Sequence, residues 1–365
     1  MDFAFSDEQT MLREQARSFL TDRMSPERVA EIAASDEGWD KNSYRQIAEL
    51  GWTGLSIDED HGGAGMGFID EAVVFEELGR ALLPGPYFST IALALPALAN
   101  SPESLAGIVS GERTATLAWA EPSGPTYLTD VDEVTTKAEK TNGDWSLTGE
   151  KHLVPDVAIV DDILVVAAAS EGVGIWLVDR GDAAPITQST MDRTRRLGSV
   201  SLAGARGELL VEPGRAAPIV EEIRRRALAA LALEAVGIGG FALDMSIAHT
   251  SERKQFDKPI GAYQAVAHQV ANSFSDVERA RSLAYWAAWC VAEGDEQAPI
   301  AVAAAKSSAG EAAVTACERA IQVHGGIGFT WEHPLHLFYK RAQWIDTFEG
   351  AGARHRAAIA KGLLG

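Results

Sequence analysis

Two stretches in the last third of the sequence gather side chains and backbone suited to chemistry. The first reads Arg253-Lys254-Gln255-Phe256-Asp257-Lys258-Pro259-Ile260-Gly261-Ala262-Tyr263-Gln264. It places cations and amides at a Pro/Gly break between two helical patterns. A helix starting there offers open backbone N–H groups and a positive dipole end, which suit an anion such as a pyrophosphate. The same residues also fit a solvated charge cluster at a helix C-terminus. The second stretch reads Gln322-Val323-His324-Gly325-Gly326-Ile327-Gly328-Phe329, then Glu332-His333-Pro334, and closes on Thr347-Phe348-Glu349-Gly350. Gly325 and Gly326 allow close backbone approach by a planar or extended ligand. Glu349 sits beside Trp344, Ile345 and Phe348. A carboxylate among such neighbours tends toward a raised pKa and general-base work. A helix-capping glutamate is the alternative.

Other chemistries lack their residues. There is no GxSxG, HExxH, P-loop or C-x-x-C. His333 and His336 lack a third ligand at helical spacing, since Glu332 would point elsewhere, so a chance pair is read and no metal is expected. His61–Gly67 is Gly-rich but has no GxGxxG spacing and follows no strand, which makes it a surface turn. Cys290 and Cys317 alone exclude a disulfide scaffold. A net charge of −20 argues against nucleic acid as partner, and an anionic ligand must meet a local cationic patch. The first thirty residues lack a basic n-region followed by an apolar run, and no stretch holds the ~18 uninterrupted apolar residues of a membrane span. The expectation is a soluble cytoplasmic protein.

Three textures must position these residues. Residues 1–112 read as helical: Ser6 and Gln9 form a capping box before Leu12, Ala16, Phe19 and Leu20, and a further helix covers about 69–83. Residues 113–212 hold short runs rich in Val, Ile, Thr and Trp, with Asn142-Gly143 as a hairpin turn and Leu197–Val211 as a strand pair. They make an antiparallel β domain. Residues 213–365 carry long helices over about 224–252, 263–291 and 300–324, and a short one over 353–363, as in a four-helix bundle. The fold class is mainly α with a central β domain.

The two stretches in this order resemble the acyl-CoA dehydrogenases. Arg253–Gln264 is similar to that family's R-x-x-F-x-x-x-I-x-x-F-Q pattern, and Gln322–Pro334 to Q-x-x-G-G-x-G-F-x-x-E-x-P. The likeness spans essentially the whole chain from Met1-Asp2-Phe3-Ala4-Phe5-Ser6, and the spacing from Gly325 to Glu349 fits without a gap. It implies an N-terminal helical domain, an antiparallel β-barrel and a C-terminal four-helix bundle. It also implies FAD, held by Arg253, Gln255, Phe256 and Gln264 and, from a neighbouring subunit, by Gln322, Gly325 and Gly326. A dimer of dimers would follow, homomeric or mixed. Glu349 aligns with the base that removes the α proton of an acyl-CoA while flavin N5 accepts hydride from the β carbon, giving a trans-2-enoyl-CoA. Glu349 N–H would polarise the thioester oxygen. Some relatives carry the base on the long helix, where this chain has Ala227. Electrons would pass to an electron-transfer flavoprotein, in fatty-acid or steroid side-chain β-oxidation. Arg225 and Arg226 (with Arg224), Gly350 and Lys361 are the candidates for contact with the acyl-CoA.

The chain departs from the pattern in places. Ala120 stands where a Thr is usual, Leu153 and Pro155 replace the Trp and Thr of the W-I-T strand, and Ala351-Gly352-Ala353 replaces T-S-Q. The usual adenine-side Arg aligns with Leu228. These losses imply weak FAD retention or completion by another chain. The alternative to a self-sufficient dehydrogenase is therefore a non-catalytic or half-site partner subunit; a flavin oxidase or monooxygenase is a third possibility.

Overall fold

Ser6 Oγ accepts from the Gln9 backbone N–H while Gln9 Oε1 accepts from Ser6 N–H, closing the expected capping box of α1 (Asp7–Arg23). The computed structural model describes residues 5–99, 101–124 and 126–365, so Met1–Ala4 of the N-terminal resemblance lie outside it. Arg13 and Arg17 of α1 pair with Glu77, buried on α4 (Phe68–Ala81). Between them come α2 (Pro26–Ala34) and α3 (Lys41–Glu49); α5 (Pro102–Val109) follows α4 after a π-helical stretch, Phe88–Ala94. The Gly-rich run is a tight turn. Ala64 and Met66 N–H donate to the Gly54 and Leu55 carbonyls, and a Cβ on Gly63 would lie 2.0 Å from the Ile57 carbonyl oxygen.

The strands are β1 (Ala115–Ala118), β2 (Lys137–Thr141), β3 (Asp144–Pro155), β4 (Asp162–Ala169), β5 (Gly172–Asp179), β6 (Ala184–Thr187) and β7 (Leu197–Val211). Asn142 and Gly143 turn β2 into β3 with φ of 55° and 100°, as a type I′ hairpin requires. Pairing runs β4-β2-β3-β7-β5 and returns to β4, so five strands close a barrel, with β1 on β4 and β6 on β7. Leu147, Ile163, Val165, Trp176 and Val200 fill it. Two expectations are corrected. The sheet is mixed, because β1 and β2 each run parallel to β4. β1 and β4 start side by side: Asp161 and Asp162 N–H both donate to the Thr114 carbonyl, while Asp161 Oδ2 accepts from Thr114 N–H. And Leu197–Val211 is one bent strand rather than a pair. Gly204, at φ 78°, takes up a bulge opposite Leu147 and Thr148, so no hairpin forms.

The last part contains α6 (Ala216–Glu252), a hairpin of β8 (Lys254–Gln255) and β9 (Lys258–Pro259), α7 (Gln264–Ala292), α8 (Ala298–His324), α9 (Leu335–Thr347) and α10 (Gly352–Leu364). α6 starts eight residues before the expected position, because Pro218 falls in its first turn, where no intrahelical N–H is lost. Small residues let backbones touch. A Cβ on Gly237 would lie 2.0 Å from the Glu76 carbonyl oxygen of α4, and one on Gly239 2.9 Å from Val277 of α7. Phe241 of α6 stacks on Phe338 of α9 at 4.0 Å, and the buried Arg341 of α9 pairs with Glu234 of α6. α6 has the length and hydropathy of a membrane span, with most of its apolar stretch buried inside the chain. The chain forms two compact units. One comprises the residues up to Glu31 with Gly67–Leu83 and Leu228–Gly365; the other comprises Ile32–Met66 and Pro84–Ala227.

Candidate functional site

Glu349 leaves the end of α9 in a sharp turn, at φ 57°, with Gly350 at 91°. A non-glycine residue there carries strain of about 1–3 kcal/mol and persists only where its surroundings hold it. They do. Lys306 Nζ of α8 donates to the Asp346 carbonyl at 3.0 Å, Ser307 Oγ to the Gly352 carbonyl at 3.4 Å, and His355 Nε2 of α10 lies 2.9 Å from the Gly350 carbonyl. Glu349 is 5% exposed. Trp344 and Phe348 approach ring to ring at 5.4 Å beside it in sequence, and Ile345 is buried. Ala351, rather than Glu349, occupies the N-cap of α10. Burial pushes the Lys306 ammonium down to about 8, against the pull of Asp346 and Glu349.

The first motif forms an exposed hairpin. Phe256 and Asp257 turn it at φ 52° and 65°, so the Pro/Gly break between the helices is a two-residue hairpin bend. Tyr263 Oη donates to the Gln255 carbonyl at 3.1 Å and Lys258 lies 4.2 Å over the Tyr263 ring, which stiffens the bend. Arg253, Gln255 and Gln264 are exposed, Phe256 is 87% exposed, and α7 begins at Gln264 with no side-chain cap. In the second motif α8 ends on Gly325 at φ 66°, ψ −141°, a region essentially reserved for glycine. Added Cβ atoms on Gly325 and Gly326 would meet nothing within 4 Å, and Gln322, Ile327, Phe329 and Trp331 are exposed around them.

Neighbouring imidazoles join the two motifs, one pair stacked and the next tilted. His249, one turn before Arg253, lies 4.2 Å from His324, and His324 lies 4.7 Å from His333. Burial first, then mutual repulsion, holds His249 and His333 below the ordinary histidine range. His336 turns away: its Nδ1 is 3.2 Å from Lys340 Nζ and its Nε2 3.3 Å from the Trp331 carbonyl. Exposed cations and amides, open glycines and exposed aromatic rings fit a ligand that combines a diphosphate with planar rings.

The β region offers less. Ala120 is buried, and the Pro155 carbonyl accepts from Thr116 Oγ1 at 2.7 Å. Leu153 sits at φ 52°, 44% exposed, in a bulge of β3 against β7. The charged groups nearby serve the fold. Glu121 accepts from Lys151 Nζ at 2.6 Å, from Thr135 N–H and Oγ1, and from Thr136 N–H. Burial pushes its carboxyl up, but these bonds outweigh it and hold it at about 2; burial brings Lys151 down to about 8.

Family models for the acyl-CoA dehydrogenase N-terminal and C-terminal domains match residues 6–101 and 225–364. Acyl-CoA dehydrogenase IpdE2 of Mycobacterium tuberculosis is 34% identical over 92% of this chain and 91% of its own. The chain belongs to the acyl-CoA dehydrogenase family. It is thus an acyl-CoA dehydrogenase, an oxidoreductase of a flavoprotein family active in fatty-acid and steroid β-oxidation. Among solved structures, a Tcur3481-Tcur3483 steroid acyl-CoA dehydrogenase variant is 30% identical, with TM-score 0.85 over 98% of this chain and 99% of its own. The ChsE4-ChsE5 complex from Mycobacterium tuberculosis is 27% identical, with TM-score 0.89 over 100% and 99%.

The arginines of this acyl-CoA dehydrogenase differ in what they hold. Arg225 Nε pairs with Glu221 one turn back at 2.9 Å. Arg226 is tied down, donating to the Ile91 carbonyl at 3.2 Å and the Ser56 hydroxyl at 2.9 Å, on the wall of a cavity of about 210 Å³. Lys361 is exposed on α10, and Gly350 is buried behind Glu349. Sequence reasoning missed Lys306, Ser307 and His355. A signal existed for the first: Lys306 is the lone cation closing the apolar run Ala301-Val302-Ala303-Ala304-Ala305.

Proposed function

We propose that this chain is an FAD-dependent dehydrogenase that forms trans-2-enoyl-CoA from an acyl-CoA, with Glu349 as the base. The observation that carries this reading is a buried glutamate held at positive φ by bonds to the backbone on both sides of it. A glutamate whose backbone is fixed that firmly suits proton removal from one carbon of a bound thioester. Glu349 takes the α proton, and its N–H polarises the thioester oxygen. Arg253, Gln255, Phe256 and Gln264 would hold one half of FAD, and Gln322, Gly325 and Gly326 the half belonging to a neighbouring subunit. FAD, when bound, supplies the hydride acceptor, at flavin N5. Arg225, Arg226, Gly350 and Lys361 serve the acyl-CoA. The exposed Phe256, Ile327, Phe329 and Trp331 support burial of these motifs against further subunits. A cytoplasmic dimer of dimers, electron transfer to an electron-transfer flavoprotein and the three-part division 1–112, 113–212 and 213–365 belong to the same reading.

A half-site role in a mixed tetramer is the second reading. Ala120, Leu153 and Pro155 favour it, as do structural relatives described as two-component assemblies. The test is purification of the chain alone and co-expressed with a second acyl-CoA dehydrogenase-like chain. One FAD per chain, with acyl-CoA-dependent reduction of a dye by the chain alone, supports the first reading. A mixed tetramer with half that FAD, and activity only together, supports the second. Absence of flavin and of dye reduction in both preparations overturns the enzymatic reading, and stoichiometric oxygen uptake replaces it with an oxidase.

A further inference from the structure

We infer that Lys306 is a positioning residue for Glu349, fixing the backbone that carries it and supplying a buried positive charge that favours its carboxylate form. This rests on the reading of Glu349 as the base. Lys306 is 1% exposed in the middle of α8, forty-three residues from Glu349 in sequence. An ammonium group loses its hydration there, and such a position is retained only where the charge meets partners. It donates not to a carboxylate but to the Asp346 carbonyl, three residues before Glu349. Ser307, the next residue of α8, bonds the Gly352 carbonyl three residues after it. One turn of α8 thus grips the chain on both sides of Glu349. The Lys306 charge also feels the Asp346 and Glu349 carboxylates, and that attraction acts equally in reverse, favouring ionised Glu349.

Other titratable groups stand on the elements around this turn. α9 contributes Asp346, and its Arg341 is paired with Glu234 of α6. α10 contributes Arg354, His355 on the Gly350 carbonyl, and Arg356, which bonds Ser307 Oγ and pairs with Glu311 of α8. Between Arg281 and Glu293, α7 carries as titratable groups only Tyr285, whose hydroxyl donates to Glu76, and Cys290, whose thiol burial pushes up to about 11. Lys306 is thus buried and bonded to the backbone that leads into Glu349. Burial among apolar groups disfavours a carboxylate, and the Lys306 charge opposes that effect.

The test uses flavin-loaded protein with ¹³C-labelled glutamate carboxyls, the Glu349 resonance being the one that Glu349→Gln deletes. Lys306→Met removes charge and donor. Lys306→Gln keeps a donor for the Asp346 carbonyl and removes only the charge, and Lys306→Arg restores it. The expected result is an upward move of the Glu349 titration by about one pH unit in both neutral variants, with Lys306→Arg close to the parent. The acid limb of substrate-driven flavin reduction should move with it, while KM for the acyl-CoA stays within about twofold. Should Lys306→Met fail to fold, Lys306→Gln against Lys306→Arg decides alone. A Glu349 titration unmoved in the neutral variants overturns the inference. If Glu349→Gln reduces its flavin at the parental rate while the resonance still moves, the base reading fails and the coupling stands.

Discussion

The turn carrying Glu349 and the strand segment carrying Leu153 and Pro155 have been treated oppositely by this sequence. In the first, a strained backbone is held by donors from two helices, and the carboxylate is kept. In the second, hydroxyl and indole groups usual for the family are replaced by Pro155 and Leu153, and Leu153 stands 44% exposed in a bulge. The buried charge of that region, Glu121 with Lys151, is spent on joining β1, β2 and β3. On the proposed reading, the first region is the one that would move the proton and the second the one whose side chains would lie toward the flavin.

Four changes sharpen that contrast. Glu121→Gln leaves Lys151 as a buried cation without its counter-charge and should cost about 3–5 kcal/mol in denaturant unfolding, with Glu349-dependent chemistry intact if the protein folds. The sign with pH is fixed. A carboxyl held at about 2 against an ordinary 4.5 contributes stability that is present above about 4.5 and lost as pH falls toward 2. The variant should therefore show a flatter acid-unfolding curve over that window. Next, Leu153→Trp with Pro155→Thr should tighten FAD by about tenfold, near 1.4 kcal/mol, measured by fluorescence titration of the stripped protein. Unchanged affinity would show that the flavin gains nothing from this strand. On binding, Arg225→Ala should raise KM for the acyl-CoA a few-fold with kcat nearly unchanged. Arg226→Ala, which breaks bonds to Ile91 and Ser56, should instead lower stability by about 1–2 kcal/mol.

Much of this was legible in the sequence because it is local. The Ser6 capping box, the Asn142-Gly143 turn and the ends of β4 and α8 follow from a few adjacent residues. The Gly-rich run 61–67 was read as a turn, and its hydrogen bonds show one. What escaped depends on pairing across distance. Nothing near Ala115–Ala118 announces that β4 will run parallel to it, and nothing near Gly204 announces a bulge instead of a hairpin. α9 is marked only by the i, i+3, i+7 spacing of Leu335, Phe338, Ala342 and Ile345, within a run whose other aromatic and charged residues blur the apolar stripe. At the site, Glu349 and the two motifs could be named from residue type and order. The clamp around Glu349 could not, since Lys306 and Ser307 reach it only through the packing of α8 on α9 and α10.

The most direct measurement compares the parent and Glu349→Gln by rapid mixing with an acyl-CoA, following flavin bleaching. The amide keeps shape and hydrogen bonding but cannot accept the proton. FAD content, folding and acyl-CoA binding should survive, and the bleaching rate should fall by at least ~10². A Glu349→Gln protein that bleaches its flavin at the parental rate would contradict the assignment of Glu349 as the base, and with it the claim that this turn is held rigid for proton transfer.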